Sequence, residues 1–222
     1  MALTQNVTVD QKKDGSKIYI VKKIGEVEKK PVYSFFKRIF DLVFSLATFS
    51  VLIIPMLIIA IIVRITSNGP SLYRQERVGL NGKRFILYKF RSMRLDAETN
   101  GAQWAVDNDP RVTKFGRIMR LTRLDELPQL INIIKGDMSF VGPRPERPVF
   151  YEKFAEYIDG FDERLKVMPG LTGLAQINGG YDLKPEEKVA YDIEYIETRS
   201  LWLDFKLIIR TVSVIFTHDG AK

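Results

Sequence analysis

The sequence predicts an α+β fold that is mostly helical: one long apolar helix, a small β-hairpin and amphipathic helices around one compact domain. Three observations predict it. Residues 42–63 contain no charged side chain, two alternating segments flank the turn at Asn81-Gly82, and several later segments repeat their apolar residues at helical spacing. With 222 residues and 45% hydrophobic content, the chain can bury one substantial core.

The first segment, residues 1–32, is polar and rich in lysine. This composition is typical of a partly disordered N-terminal tail. One strand-like run, Lys17–Lys22, interrupts it, and nothing in the segment predicts a separate domain.

The second segment, residues 33–65, holds the apolar helix. Its uncharged part, Leu42–Val63, would extend about 33 Å as a helix, enough for a hydrocarbon core of about 30 Å. A buried core helix is the alternative, but so long an apolar run favours membrane insertion. Basic residues flank both ends, Lys37-Arg38 before and Arg64 after, so neither end suits translocation. Pro55 predicts a kink, and together these features favour a re-entrant helix over a tilted span.

The remaining residues, 66–222, form the predicted compact domain. Alternating side chains predict a hairpin, and a polar loop follows over 94–112. The predicted strands cover 72–78 and 84–91, and the predicted helices cover 114–121, 128–135, 148–159, 185–198 and 201–216. The last helix is apolar except for one polar stripe, which fits either a core helix or an interfacial helix at the lipid headgroups. Its apolar surface could also support a homodimer.

Composition limits the chemistry. The chain has no cysteine, which excludes disulfides and thiolate catalysis, and its single histidine, His218, lies close to the C-terminus. Carboxylates, hydroxyls, lysine or arginine must therefore act. The net charge of +7 indicates an anionic partner, whether nucleic acid, lipid headgroups or phosphorylated substrates.

The acidic pair Asp125-Glu126 stands out in an otherwise basic and apolar stretch ahead of Pro128. Proline is favoured in the first turn of a helix, so the pair is expected at or just before a helix N-terminus. Free N–H groups and the helix dipole favour anions there. A helix cap and a functional pair of carboxylates are both open on this evidence.

Three further clusters accompany the acidic pair. Tyr88–Met93 places Lys89 and Arg91 on one face of a predicted strand, and Lys135–Pro145 holds Arg144 between two prolines. Pro169–Gly179 is punctuated by glycines, which allow a backbone to approach an anion closely or simply to turn. Arginine in fixed geometry suits bidentate binding of phosphate.

In this order, the clusters closely resemble the bacterial sugar transferase family, the monotopic phosphoglycosyl transferases, of the small type that consists of the catalytic core. The resemblance runs from about residue 33 to 216. The motifs that carry it are Lys37–Asp41, Tyr88–Met93, Leu124–Leu127, Gly136–Pro145 and Pro169–Gly173.

The resemblance implies transfer of a phosphosugar from a nucleoside diphosphate sugar, usually a UDP-sugar, to polyprenol (undecaprenyl) phosphate. UMP is released and glycan assembly begins, for exopolysaccharide, capsule, O-antigen or glycoprotein. It implies Asp125 as the nucleophile that forms an aspartyl-phosphosugar intermediate, and Mg²⁺ as cofactor with Asp125 as its ligand. It also implies residence in the inner membrane, with a re-entrant helix and the catalytic domain on the cytoplasmic face.

The resemblance also suggests roles for other residues. Glu126 is expected to orient the site or to handle a proton. The expected substrate- and phosphate-binding residues are Lys89, Arg91, Arg120, Arg144, Gln176 and Asn178. Lys37, Arg38 and Asp41, at headgroup level, and Pro55, at the helix break, are expected to position the membrane helix.

The sequence departs from the family pattern at three positions. Ile54 precedes Pro55 where serine is frequent, Met168 replaces a basic residue, and Leu174 replaces tryptophan. A different class of function, a basic membrane-surface adaptor that lacks catalysis, would leave Asp125-Glu126 as a helix cap. Nucleic-acid binding is disfavoured because the basic residues are dispersed and no nucleic-acid-binding motif is present.

Overall fold

The computed structural model describes residues 3–12, 14–99, 101, 103, 109–179 and 183–217. The fold is α+β and mostly helical, as the sequence predicts. The α-helices are α1 (Leu3–Asn6), α2 (Pro31–Thr66), α3 (Lys114–Leu121), α4 (Leu130–Lys135), α5 (Pro148–Ala155), α6 (Leu174–Ile177), α7 (Pro185–Thr198) and α8 (Leu201–Thr217). Short 3-10 helices cover Leu80–Gly82, Leu124–Gln129 and Phe161–Lys166. His218 lies outside the described residues.

The strands of the described residues form three small sheets. They are β1 (Val7–Gln11), β2 (Lys17–Val21), β3 (Leu72–Val78), β4 (Arg84–Phe90), β5 (Ser139–Val141), β6 (Ile158–Asp159) and β7 (Gly170–Thr172). β3 and β4 form the predicted antiparallel hairpin, and β5 pairs with β7 in parallel. The predictions for 114–121 and 185–198 match α3 and α7. The helix predicted over 148–159 ends at Ala155, and that predicted over 128–135 becomes α-helical only at Leu130.

The N-terminal segment differs from the expected polar tail. β1 pairs with β2 in an antiparallel hairpin, and β2 pairs in parallel with β6. Val7 and Val21 are buried in the main core cluster. No local pattern indicates this docking, because the β2–β6 pairing joins Tyr19 to Ile158, far along the chain.

The apolar segment forms one uninterrupted helix, α2, which stays helical through Pro55. Among the described helices, α2 is the one long and apolar enough to cross a membrane. Its buried residues, Asp41, Ser45, Met56, Ile59 and Val63, lie along one side and pack on the domain, and most of its other apolar side chains are exposed. Whether the helix returns to the same membrane face stays a prediction.

Polar residues near the start of α2 attach it to the domain. Arg38 donates to the carbonyls of Ile133 and Ile134, at the C-terminal end of α4, over 2.7 and 2.9 Å. The Asp41 carboxylate accepts from the Phe140 N–H in β5 over 3.0 Å. Arginine at a helix C-terminus is favourable because that end carries partial negative charge. These side chains thus hold α2 against α4 and β5; their positioning at lipid headgroups stays a prediction.

Lys37 binds a different partner, the buried Asp204 of α8. Lys37 Nζ lies 2.7 Å from Asp204 Oδ2, and the hydroxyls of Tyr33 and Tyr195 donate to the same carboxylate over 2.9 and 2.8 Å. The Tyr195 hydroxyl also lies 3.2 Å from the carbonyl of Val141, at the end of β5. This cluster therefore connects the start of α2 with α7, α8 and β5.

Helix α8 combines the two alternatives left open by its sequence. Leu207 is buried in the core, and the Thr211 hydroxyl bonds that of Thr172. Trp202 and Phe205 stack on each other and are exposed. One side of the helix therefore belongs to the core, while another presents apolar surface.

Candidate active site

The acidic pair lies in the first turn of the 3-10 helix Leu124–Gln129, which leads into α4. The turn from α3 into it is made by Arg123, whose φ of 57° is left-handed and uncommon for a residue with a side chain. Asp125 and Glu126 are both buried. The sequence correctly placed the acids at a helix start, although Pro128 lies inside the 3-10 helix and not at its first position.

Glu126 is surrounded by cations. Its carboxylate accepts from Arg144 over 2.6 and 3.4 Å and from Lys89 over 3.2 Å, and Arg123 lies 4.0 Å away. Burial alone would raise the pKa of Glu126, but Arg144, Lys89 and Arg123 hold it well below its usual range. An ionised carboxylate with so low a pKa is a poor proton acceptor. Its ion pairs with Arg144 and Lys89, together with this low pKa, therefore favour the orienting role expected for Glu126 over proton transfer.

Asp125 has the opposite environment. Within the described part of the chain, no group hydrogen-bonds its carboxylate. Burial raises the pKa of Asp125 to about 6, a rise that the charge of Glu126 reinforces and those of Lys89, Arg120 and Arg144 oppose. At neutral pH this carboxylate is mostly ionised, desolvated and free of hydrogen bonds to described residues, which suits a nucleophile or a metal ligand.

Both acids line a cavity of about 290 Å³ between the β3–β4 hairpin, the 3-10 helix and the loop that carries Arg144. Of its described lining residues, eleven are lysine or arginine and four are aspartate or glutamate. The excess of cations makes the cavity attractive to anions, because a basic, partly enclosed site concentrates the field.

The structure brings together most of the predicted binding residues. Lys89, Arg91, Arg120, Arg144 and Gln176 all line the cavity. Arg120 is held by a hydrogen bond from Nε to Ser92 Oγ of 2.9 Å. These residues come from separate parts of the chain, so their convergence is a property of the tertiary structure.

Asn178 is not brought to the cavity. Its side chain is exposed and donates to the carbonyl of Leu174, within its own helical turn. Met168 and Leu174, two of the departures from the family pattern, are also absent from the described cavity lining, and Leu174 packs against the core. The described lining therefore contains neither of these two substitutions.

The glycines of the later motifs serve backbone packing. A Cβ on Gly170 would lie 2.1 Å from the Gly142 nitrogen, and one on Gly173 would lie 2.2 Å from the Gly142 oxygen. The Gly142 N–H donates to Thr172, and the Gly170 N–H to Pro143. These two amides are therefore used within the fold, where they hold the loop of Arg144 against β7.

Seven basic residues of the described lining were not predicted from the sequence: Arg77, Arg94, Arg111, Arg123, Arg147, Arg164 and Lys188. Arg123 and Arg147 line the cavity, the latter in contact with Glu98, and Arg164 forms a buried pair with Asp192. Arg123 stands close enough to Asp125 in the sequence to have been considered. Arg147 and Arg164 carry no local signal because their partners are distant in sequence.

The acidic side chains of the cavity are compatible with an Mg²⁺ ion that is coordinated mainly by substrate oxygens. No group of three or more His, Cys, Asp or Glu side chains that could hold a metal occurs among the residues the structure describes. Mg²⁺ often uses one or two protein carboxylates together with substrate phosphates and water. Asp125 fits that pattern because its oxygens have no hydrogen-bond partner among those residues, whereas Glu126 is occupied by cations.

Comparison with known proteins identifies relatives. The family model described as "Bacterial sugar transferase" matches residues 32–218. A UDP-N-acetylgalactosamine-undecaprenyl-phosphate N-acetylgalactosaminephosphotransferase of Aeromonas hydrophila is 39% identical over 202 residues, which are 90% of this chain and 48% of that protein.

UDP-glucose:undecaprenyl-phosphate glucose-1-phosphate transferases provide two further matches. The Escherichia coli (strain K12) protein is 44% identical over 83% of this chain and 41% of its own length. The Caulobacter vibrioides protein is 40% identical over 83% of this chain and 71% of its own length. The chain thus spans about half the length of the first curated relatives it matches. With the family model covering most of its residues, this chain belongs to the bacterial sugar transferase family.

Proposed function

We propose that the protein transfers a sugar 1-phosphate from a UDP-sugar to a polyprenol phosphate such as undecaprenyl phosphate, and so begins a glycan on a lipid carrier. The observation that carries this proposal is the Asp125 carboxylate, buried among cations in the cavity with no hydrogen bond to a described residue. The names of the relatives support a UDP-sugar donor and an undecaprenyl phosphate acceptor.

In the first step, an oxygen of Asp125 attacks the β-phosphorus of the UDP-sugar. The bond between the β-phosphorus and the bridging oxygen breaks, and UMP leaves with that oxygen. Lys89, Arg120 and Arg144 neutralise charge that builds up on the phosphate oxygens. The product is a phosphosugar joined to the carboxylate of Asp125.

In the second step, an oxygen of the polyprenol phosphate attacks the same phosphorus. The bond between Asp125 and phosphorus breaks, which gives a polyprenyl diphosphosugar and regenerates the carboxylate. Glu126 takes part in neither bond change. Its place between Arg144 and Lys89 keeps both cations at the reacting phosphate in both steps.

Mg²⁺, held by Asp125 and by substrate oxygens, would neutralise the diphosphate and stabilise the departing UMP. The protein's own contribution is a buried carboxylate with fixed cations beside it. Because those cations are already in place, little reorganisation is needed when the substrate arrives.

Helix α2 supports the membrane arrangement that we propose. Asp41, just before the uncharged run, and Val63, its last residue, both pack on the same domain, which supports a re-entrant helix over a simple crossing. Basic residues on both sides of the apolar run support placement of the domain on the cytoplasmic face of the inner membrane. The exposed apolar sides of α2 and α8 would then contact lipid.

The test uses UDP-sugar labelled in its β-phosphate, incubated with the purified protein and Mg²⁺ in the absence of acceptor. We expect label on the wild-type protein, located at Asp125 by peptide mass spectrometry, and none on Asp125→Asn. Asp162→Asn is a matched control because Asp162 is exposed and lies outside the described cavity lining. Normal turnover by Asp125→Asn would refute the nucleophile assignment.

The identity of the sugar requires a separate experiment. The relatives are named for N-acetylgalactosamine and for glucose, so family membership does not choose the donor. A panel of UDP-sugars, with polyprenol phosphate and Mg²⁺, would be compared by UMP release.

A further inference from the structure

Arg91 occupies a position unlike that of the other cavity cations. It is 6% exposed, and its Nη2 donates to the Ser67 carbonyl and hydroxyl over 2.9 and 2.8 Å, just beyond the C-terminal end of α2. These contacts at the C-terminal end of α2 account for Nη2, one of the three guanidinium nitrogens. Nε and Nη1 are buried and have no hydrogen-bond partner among the described residues. A buried guanidinium with two unused donors is costly, which points to a missing acceptor.

No acid among the described residues compensates this charge. Arg91 forms no ion pair with any of them, in contrast to Lys89 and Arg144, which share Glu126. Burial lowers the pKa of Arg91, and the positive charge of Arg64 lowers it further. Arg64 lies in the last turn of α2, is exposed and has no ion-pair partner in the described part of the chain. Arg64 precedes Ser67, the residue that Arg91 binds, by three positions, so both arginines lie at the C-terminal end of α2. Two arginines at one helix end without an acid favour binding of an anion.

The surroundings of Arg91 are apolar. Pro70, Leu72 and Leu95 line the same cavity, and Leu95 lies against Gly69, whose carbonyl also accepts from Arg91. Leu95 is 65% exposed, and Ile65, next to Arg64, is 78% exposed. A ligand that fits here combines a phosphate with a long apolar chain.

The location also suits the second chemical step. Arg91 follows Lys89 by two residues, and alternate residues of an extended chain lie about 7 Å apart on one face. Arg120, one of the cations assigned to the donor, bonds through Nε to the hydroxyl of Ser92, the residue after Arg91, over 2.9 Å. An anion at Arg91 would therefore lie beside the donor's cations, on the side where α2 ends.

We propose that Arg64 and Arg91 form a subsite for the phosphate monoester of the lipid acceptor, separate from the donor subsite at Lys89, Arg120 and Arg144. The proposal rests on the proposed transfer reaction and assigns its two phosphate substrates to different cations. The exposed apolar residues beside Arg64 and Arg91 carry the start of the prenyl chain.

The test measures the KM for polyprenol phosphate and the KM for UDP-sugar in nanodiscs of neutral phosphatidylcholine. For Arg91→Gln we expect the KM for polyprenol phosphate to rise about 10-fold or more, as for loss of a charge-assisted hydrogen bond, with the KM for UDP-sugar within about 2-fold. Arg64→Gln, at an exposed position that tolerates substitution, should raise the acceptor KM about 3-fold or more. Arg117→Gln, another exposed arginine on α3, is the control and should change neither constant.

Two further measurements distinguish this proposal from its alternatives: an assay with a short-chain acceptor in detergent, and an exchange assay without acceptor. If the arginines bind bilayer headgroups, the effect should disappear with a short-chain prenyl phosphate in detergent, and that result would overturn the proposal. An equal rise in both Michaelis constants, or an unchanged acceptor KM in both variants, would also overturn it. Exchange of label between UMP and UDP-sugar, measured without acceptor, tests the Asp125 half-reaction separately. Its absence from the wild type would reject the covalent mechanism while the acceptor KM still reports on the subsite.

Discussion

Replacement of Asp125 by asparagine is expected to make the protein inactive but more stable. The pKa of Asp125 is about 6, against an ordinary value of 3.8. A carboxyl whose pKa is raised in the folded state favours folding while it is protonated, and this contribution is lost as pH rises through the folded pKa. Above pH 6, ionised Asp125 therefore destabilises the native state. At 1.36 kcal/mol for each pH unit, the cost is about 3 kcal/mol.

The assay is thermal unfolding in detergent at pH 8 and at pH 4. The asparagine side chain has nearly the shape of aspartate, and no described group hydrogen-bonds the carboxylate, so the substitution removes the cost of the charge and few contacts. A gain of about 3 kcal/mol in a chain of this size corresponds to a rise in Tm of roughly 6–12 °C at pH 8. The gain should nearly vanish at pH 4, where Asp125 is protonated in the folded protein.

Glu126→Gln provides the matched control, with the opposite sign. The pKa of Glu126 is depressed, so its charge stabilises the folded state at pH 8 and loses this effect as pH falls through the folded pKa. This variant should be destabilised by about 3–5 kcal/mol at pH 8, because Arg144 and Lys89 lose a buried partner. A lower Tm for Asp125→Asn at pH 8, or an equal gain at both pH values, would refute a destabilising charge on Asp125.

Three further predictions concern rate, architecture and metal. Below pH 6, kcat/KM should fall about 10-fold for each pH unit as Asp125 is protonated, and Lys89→Met should move the midpoint of this profile to higher pH because Lys89 lowers the pKa of Asp125. Asp204→Asn should weaken the cluster at Lys37 and speed amide hydrogen exchange at the start of α2, whereas Asp162→Asn should leave it unchanged. Removal of Mg²⁺ with a chelator should abolish UMP release, and added Mg²⁺ should restore it; full activity in the chelator would contradict the assignment of the metal.

The sequence alone determined the fold class, the long apolar helix, the β3–β4 hairpin and the identity of the acidic pair. These features have local causes: a run without charges, a two-residue alternation around Asn81-Gly82, and a charged pair ahead of a proline. Each is encoded by residues close together in the chain. The motif order also indicated the family, which the comparisons confirmed.

The sharing of cations between the two acids depends on the tertiary structure. Asp125 and Glu126 are neighbours of similar chemistry, but Arg144 and Lys89 approach one carboxylate and leave the other without a hydrogen bond to a described residue, so their pKa values move in opposite directions. The sequence could not distinguish them because the cations arrive from β4 and from the loop after β5. The docking of the N-terminal hairpin on β6 depends in the same way on partners far along the chain. Burial and electrostatic pairing arise only when those distant segments meet.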